Sequence, residues 1–518
     1  MSDPVTVTEA ALLARDQQSQ PWQQAFVAVI SGGLTKRDLI ARITDRIEYA
    51  PRFRRLVAGW PIPGWVDDPN FDLEYHVRHI ALPKPGDWRQ FCIQASRIHS
   101  RPLDLNRPLW EIYVVEGLDS LLELPSGSFA LLTKIHQAAV DADGGNRLVT
   151  LLHDTTPLTP APAPPRPWFA QSAPGTASLL LRCGVNSLVA PMQARTPVAR
   201  KLMDSAAAAV MFATDLLERP EQIKATRFNS VVSAHRVFDT RRFALDEFKR
   251  IRNLVPGATV NDAVLAVCGG ALRRYLRSLD ELPDSSLSAI VPVHVHQDAR
   301  PANALPGQSW LRVELGTQLD DPLQRIEFIR QQTAASRAGG QALGARELSG
   351  SDHHKAGAPL PPVGALRGLA RVFGSRHAPS ASCTITNVPG PSVPLYLNGA
   401  RMTFFSAIMP ISDGMGLVFA VTVYDGRVVI SPTSCRELIP DPQAFTQHLR
   451  DCFQDYLALS KPAEPPVPKP PSARSTRSAR PRASVPGARP RPGPKAGRAS
   501  TAPRVAPGGR PRSAAPRR

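Results

Sequence analysis

Residues 155–168 read TTPLTPAPAPPRPW, six prolines in fourteen positions, and no helix or sheet can hold such a stretch in its interior. Proline lacks the backbone N–H that helix and sheet ladders need, and its ring clashes with the preceding helical turn. The chain is therefore divided here, and its flanks must build packed structure on either side. At 518 residues it has the length for two or three domains, and 42% hydrophobic residues provide ample core for them.

Both flanks mix the two hydrophobic periods. In TKRDLIARITDRIEY (residues 35–49), Leu39, Ile40, Ile43 and Ile47 fall on one helical face, with Thr35 as N-cap and Asp38 at the third position. DLEYHVRHI (72–80) alternates Leu73, Tyr75 and Val77 as a half-buried strand does, and LWEIYVVEG (109–117) and SFALLTKIH (128–136) read as two more strands. After the break, MDSAAAAVMFATDLLER (203–219) predicts a connector helix. VNDAVLAVCGGALRRYLRSL (260–279) predicts a helix that buries Val264, Leu265, Cys268, Leu272 and Leu276, capped by Asn261 or Asp262. SAIVPVHVH (288–296) reads as a strand, and LVFAVTVYDGRVVIS (417–431) as a hairpin turning at Asp425-Gly426. The expected organisation is a mixed α/β (α+β) region over residues 1–155 and a Pro-rich linker with connector helices over 156–230. A second mixed region follows over 231–460, then a tail over 461–518.

The net charge of +18 suggests nucleic acid until it is divided. Residues 461–518 hold 12 Arg and 3 Lys against the single acid Glu464, leaving 47 basic and 43 acidic residues elsewhere. The tail has 15 prolines and three valines as its largest apolar residues, too little to offset chain entropy, so it is expected to be disordered. Without aromatic side chains to stack on bases, it makes a poor specific nucleic-acid module. Attraction to an anionic membrane or lipid-droplet surface is one reading, at ~1 kcal/mol per basic residue held near it, and a solvated extension without function is the other.

Six scattered cysteines without metal-ligand spacing point to a reduced, cytoplasmic protein without structural zinc, each thiol a buried apolar filler. MSDPVTVTEA does not read as a secretory signal, and no apolar run reaches the ~18 residues needed to cross a bilayer. Membrane contact is expected to be peripheral at most.

Chemistry concentrates in TKIHQAAVDADGG (133–145), which sets a histidine, an aspartate and a cluster of small residues close together. With KIHQAAVDADGGNRL (134–148) go three further blocks in order: RPLDLNRPLWEIYVVEGL (101–118), TVNDAVLAVCGGALRRYL (259–276) and TITNVPGP (384–391). Together they resemble the PLW, HHxxxDG, ND and NVPGP blocks of the bacterial wax ester synthase/diacylglycerol acyltransferase family, over roughly residues 5–459. The resemblance implies two chloramphenicol-acetyltransferase-like α/β domains forming a pseudo-dimer, with a tunnel between them for acyl-CoA and diacylglycerol or a long-chain alcohol. Acyl-CoA is a substrate there, and no cofactor is implied. In the family the second histidine of the HH pair removes the hydroxyl proton during direct O-acyl transfer, a step typically worth ~10²–10⁴-fold.

Matched position by position, His136 takes the first histidine, Gln137 the base and Asp141 the aspartate, while Ala142 replaces the glycine. The motif is HQxxxDA. PVHVH (292–296), Gly307-Gln308 and QPWQQAF (20–26) also depart from the family pattern. Strand parity sets His136 with Ala130, Leu132 and Lys134, and, where the strand extends to it, Gln137 with Phe129, Leu131 and Ile135. His136 is therefore either a structural histidine or a relocated base, and Asp141 reads as a loop-fixing carboxylate. Gln137 can still donate a hydrogen bond to a substrate oxygen. His294 and His296 face one side of a strand, as a polar tunnel wall or a replacement base pair, and no third metal ligand accompanies them. His353-His354 lies in a Gly/Pro-rich loop without a following aspartate. Asn387, Pro389 and Gly390 form a turn that either serves backbone geometry or lines the acyl-CoA entrance. Two functions follow: an acyltransferase slowed by Gln137, or a lapsed paralogue that binds acyl-CoA or lipid, or partners an active enzyme.

Overall fold

The computed structural model describes residues 3–5, 7–32, 35–58, 63–118, 124–125, 127–140, 147–158, 168–170, 225–294, 308–339, 381–388 and 390–460. These all belong to one compact unit, Met1–Lys461. The connector helices expected near residues 173–225 and the basic tail lie outside the described residues.

A six-stranded sheet forms the first half. Its order is β13 (Tyr396–Leu397), β14 (Ala400–Ile408), β2 (Gln23–Ser31), β7 (Phe129–His136), β6 (Trp110–Glu116) and β5 (Val77–Ala81). Strands β13 and β14 come from the far end of the sequence. Strand β14 pairs antiparallel with β2 from Arg401↔Ser31 to Ile408↔Ala25, so the C-terminal half completes the N-terminal sheet. A small sheet of β1 (Asp3–Pro4), β4 (Gly64–Asp67) and β3 (Arg55–Ala58) lies beside it in sequence. The second large sheet runs β11 (Gln308–Glu314), β10 (Ser288–His294), β12 (Cys383–Val388), β15 (Val418–Tyr424), β16 (Arg427–Cys435) and β8 (Arg236–Phe238), with β9 (Arg241–Ala244) also on β16.

Local signals explain most element ends. Helix α1 covers Val7–Arg15, and α2, Lys36–Arg46, starts with the expected capping box between Thr35 and Asp38. Leu39 and Ile43 are buried on its inner face, and Ile47, its C-cap, is buried just past its end. The strand expected across residues 72–80 is instead a helical turn, α3 (Leu73–His76), followed by β5. Asp72 causes the difference: its carboxylate accepts the Glu74 N–H at 2.9 Å, and this side-chain cap starts a turn despite the apolar alternation. Helix α4 (Trp88–Ser100) covers one face of the sheet, and α5 (Arg147–Leu152) follows β7.

In the second half, α6 (Leu245–Arg252), α7 (Val260–Arg277), α8 (Pro322–Gly339) and α9 (Pro442–Leu459) accompany the sheet. The cap of α7 is Thr259, earlier than the Asn261 or Asp262 expected, because Asp262 serves as the third residue of a capping box. Its carboxylate takes the Thr259 N–H at 2.8 Å and the Thr333 hydroxyl at 2.8 Å. Gly269 and Gly270 let α7 pack tightly, since a Cβ there would overlap the Leu315 carbonyl and the Cys452 sulphur respectively. The β15–β16 hairpin turns at Asp425 (φ 48°) and Gly426 (φ 71°) as expected, both left-handed as a two-residue type I′ turn requires.

Cys92, Cys268, Cys383, Cys435 and Cys452 are free, buried thiols, in keeping with apolar filling. Burial pushes Cys92 and Cys268 well up and Cys452 up to about 12, which suppresses the reactive thiolate. Cys183 lies outside the described residues. Among the described residues no helix is long and apolar enough to cross a membrane.

Candidate active site

Strand β7 delivers His136 to the lower edge of the first sheet, where it pairs with Gln23 of β2. The ring is fully buried, and its Nδ1 accepts the Ala138 N–H at 3.0 Å. That bond opens the short 3₁₀ turn Gln137–Ala139 and fixes the tautomer, because an accepting Nδ1 carries no proton. In the neutral ring the proton sits on Nε2, which faces the Asp16 carboxylate at 3.6 Å. Asp16 also accepts the Trp22 N–H at 2.6 Å, so it ties the segment before β2 to the end of β7. His136 thus holds the loop, with its basic lone pair occupied by the backbone.

The chain turns immediately after His136. Gln137 is half-buried, its N–H donates to the Trp22 carbonyl at 2.8 Å, and its Nε2 donates to Gln24 Oε1 at 2.9 Å. The two faces of β7 separate as strand parity predicts. Phe129, Leu131 and Ile135 share an apolar cluster with Ala138, Val149, Leu152 and Val388. Ala130 and Leu132 pack instead with Phe91, Cys92, Ala95 and Ile98 of α4. Gln24 is paired with Ile135, so the Gln137–Gln24 amide pair belongs on the first of these faces.

The His136 face carries a buried polar layer. Lys134 pairs with Glu111 at 2.8 Å and donates to the Arg101 carbonyl at 2.9 Å. Gln23 donates to the carbonyls of His99 and Arg101, and the His99 ring nitrogen Nε2 lies 2.9 Å from the Gln23 carbonyl. Burial drives His99 down to about 3, with the Arg236 charge adding to it. Downstream, α5 leads to Asp154, whose backbone bridges to Tyr396 and whose carboxylate takes Arg42 and Arg46 of α2. The far side of the loop is thereby anchored to β13.

Asp141 and Ala142 lie outside the described residues, as do His296, Pro389, Gly307 and the pair His353-His354. The backbone of His294 ends β10 opposite Gln308. Among the described residues no group of His, Cys, Asp and Glu could hold a metal ion.

Asn387 and Gly390 sit elsewhere on the molecule from Gln137. A Cβ on Gly390 would overlap the Val423 carbonyl and lie 3.5 Å from the Phe405 ring. Phe405 is level with Ala28, and Ala28 with Leu131, five residues before His136. The separation along the strands is therefore roughly 17 Å. Asn387 Nδ2 donates to Asn261 Oδ1 at 3.1 Å, which joins the NVPGP and ND blocks by their asparagines.

Among the described residues Asp16 and Gln24 also meet the HQ pair, and nothing in the sequence alone marks them for it. Gln24 lies in QPWQQAF, already distinctive there; for Asp16, in an unremarkable polar stretch, no signal was available.

Comparison with known proteins matches residues 1–264 to the wax ester synthase/diacylglycerol acyltransferase catalytic domain, and residues 308–456 to the WS/DGAT C-terminal domain. The O-acyltransferase WSD of Acinetobacter baylyi is 32% identical over 405 residues, 75% of this chain and 82% of the relative. A Mycobacterium tuberculosis protein named for diacylglycerol O-acyltransferase activity is 31% identical over 472 residues, 87% of this chain and 89% of its own. Among solved structures, the wax ester synthase/diacylglycerol acyltransferase of Marinobacter aquaeolei VT8 superposes with a TM-score of 0.61 at 24% identity, covering 88% of this chain and 99% of that one. The starter condensation domain of rhizomide synthetase superposes at 0.50 and 14% identity over 89% of this chain and 94% of that one, a likeness of fold alone. The two-domain acetyltransferase-like α/β fold and both matched regions lead to one conclusion: the chain belongs to the wax ester synthase/diacylglycerol acyltransferase family.

Proposed function

We propose that this chain is an acyl-CoA-dependent O-acyltransferase that esterifies diacylglycerol or a long-chain alcohol, and that it works without a general base at residue 137. The observation that carries the activity is the similarity to relatives at 31–32% identity, named as diacylglycerol O-acyltransferases and as the O-acyltransferase WSD, across most of their length. Acyl-CoA and acceptor meet in a tunnel between the two halves, beside the Gln137 loop. Asp141 fixes that loop, and His294 and His296 provide polar wall.

Proton balance makes the reading chemically sound. The acceptor oxygen attacks the thioester carbonyl, the C–S bond breaks, an ester C–O bond forms, and the hydroxyl proton ends on the coenzyme A sulphur. A base is thus a shuttle and not a stoichiometric reactant. Its loss slows the reaction by ~10²–10⁴-fold and leaves binding and orientation at work. The Gln137 amide, already donating to Gln24, has a second N–H that can meet a substrate oxygen.

The test is a labelled acyl-CoA transfer assay on purified full-length protein with diacylglycerol and with hexadecanol. Ester and free coenzyme A should appear together in equal amounts. Saturable acyl-CoA binding with no ester from either acceptor would overturn the reading in favour of a lapsed, lipid-binding relative.

For the tail we propose peripheral contact with an anionic membrane or lipid-droplet surface, supported by its fifteen basic residues against one acid. Deleting residues 461–518 should lower binding to phosphatidylserine-containing vesicles at least tenfold at low salt, with a smaller difference at high salt. Equal binding by both proteins would remove this role.

A further inference from the structure

The Asn387–Gly390 turn has a use of its own. A cavity of about 730 Å³ opens at the end of β12, bounded by the start of α7, β15 and the segment after Gly390. Its inner wall includes Val264, Val388 and Val421, all buried. At its edge Val393 and Val423 are 45% and 43% exposed, an unusual placement for two valines that line the same hollow. The lining contains no Lys, Arg or His, and its one acid, Asp425, is paired with Arg401 at 2.8 Å. Phosphate, adenine-ribose phosphate or any other anion would find no basic side chain in this lining. Apolar chain would find branched aliphatic walls of the size that small-molecule sites have.

We infer that this cavity receives the distal part of a long alkyl chain carried by a lipid substrate, and that Val264 and Val421 set how much chain it accepts. The inference rests on the acyltransferase reading above. It places the chain end at the level of Phe405 and Leu131, roughly 17 Å along the strands from His136. Such a span suits a long extended chain and leaves a short one out of reach. The Asn261–Asn387 pair stands in the lining as its carboxamide element, and Gly390 keeps the turn flat against Val423 so that the hollow stays open. The same alkyl chemistry is present in the acyl donor and in a long-chain acceptor, so the experiment must separate them.

Two variants narrow the cavity, Val264→Phe from inside and Val423→Trp at the exposed edge, where misfolding is not at issue. In one arm, kcat/KM is measured for butyryl- through palmitoyl-CoA with a fixed acceptor. In the other, butanol through hexadecanol are compared with a fixed donor. Each buried methylene is worth about fourfold, so excluding two or three should lower the long-to-short ratio of kcat/KM at least tenfold. The arm that responds identifies the chain. Calorimetric affinities for palmitoyl and butyryl thioether analogues of acyl-CoA, and for hexadecanol against butanol, give the same ratio without turnover. If transfer proceeds but both variants keep the wild-type ratios in every arm, the cavity assignment is wrong and the activity stands. If no ester forms yet the binding ratio falls in a variant, the cavity assignment stands and the activity does not.

Discussion

Replacing Gln137 with histidine is expected to raise kcat for acyl transfer by ~10²–10⁴-fold, the usual worth of a positioned general base. The backbone is ready for the change. The Gln137 N–H is held by the Trp22 carbonyl and the turn after it by His136, and neither bond uses the Gln137 side chain. An imidazole there can donate one N–H to Gln24 Oε1, as the amide does now, and keep a lone pair on its other nitrogen for the hydroxyl proton. The His136 ring is already engaged: its Nδ1 lone pair accepts the Ala138 N–H and its Nε2 faces Asp16. The gain should come with a signature that a merely structural change lacks. The variant's kcat should acquire an acid limb near the ordinary histidine range of about 6.5, absent from the wild type. Wild-type turnover that already shows that limb, unchanged by Gln137→His, would mean that another group takes the proton.

This expectation was largely visible in the sequence, for a physical reason. Strand parity holds through His136, where β7 ends, because a period-2 pattern is rigid once one face is buried. Gln137 lies just beyond it in the 3₁₀ turn, and its amide still meets Gln24, which pairs with Ile135. What could not be seen was the state of His136. Its tautomer depends on an N–H two residues on and on Asp16, brought near by folding and not by spacing. The same distinction runs through the fold. Thr35 and Asp38 announce their helix because the capping box is local. At Asp72 a single cap residue prevails over the alternation of Leu73, Tyr75 and Val77, and nothing in the local pattern announces that outcome. Nothing local says that β14 crosses to pair with β2. Nor does Gly390 disclose in sequence that the Val423 carbonyl lies beneath it. Close approaches between distant segments are properties of the folded molecule.

The other large effect belongs to stability. Lowering the pH from 7.5 to 5.0 should destabilise the folded chain by about 4 kcal/mol through two histidines. His99 is fully buried and held down to about 3, first by desolvation and then by the Arg236 charge, against a hydrogen bond at Gln23 that acts the other way. His153 is held down to about 4, again mainly by burial, with Arg42 lowering it further and Asp154 opposing. In the unfolded chain both groups titrate near 6.5. As pH falls through 6.5 the unfolded state therefore takes up protons that the folded state refuses, and stability is lost. The loss continues down to the folded values and then levels off. Between pH 6.5 and 5.0 each ring contributes about 2 kcal/mol at 1.36 kcal/mol per unit, a sizeable part of a typical 5–15 kcal/mol. His76 moves the same way, lowered by burial. Denaturant midpoints at the two pH values measure the effect, and His99→Gln and His153→Gln should each remove about half of the difference. Glutamine can keep a donor towards the Gln23 carbonyl or the Val149 carbonyl, so either variant can be less stable at pH 7.5 and still report through its reduced pH dependence. Equal wild-type midpoints at pH 7.5 and 5.0 would show that these rings accept protons in the folded state, which their enclosure in this fold forbids.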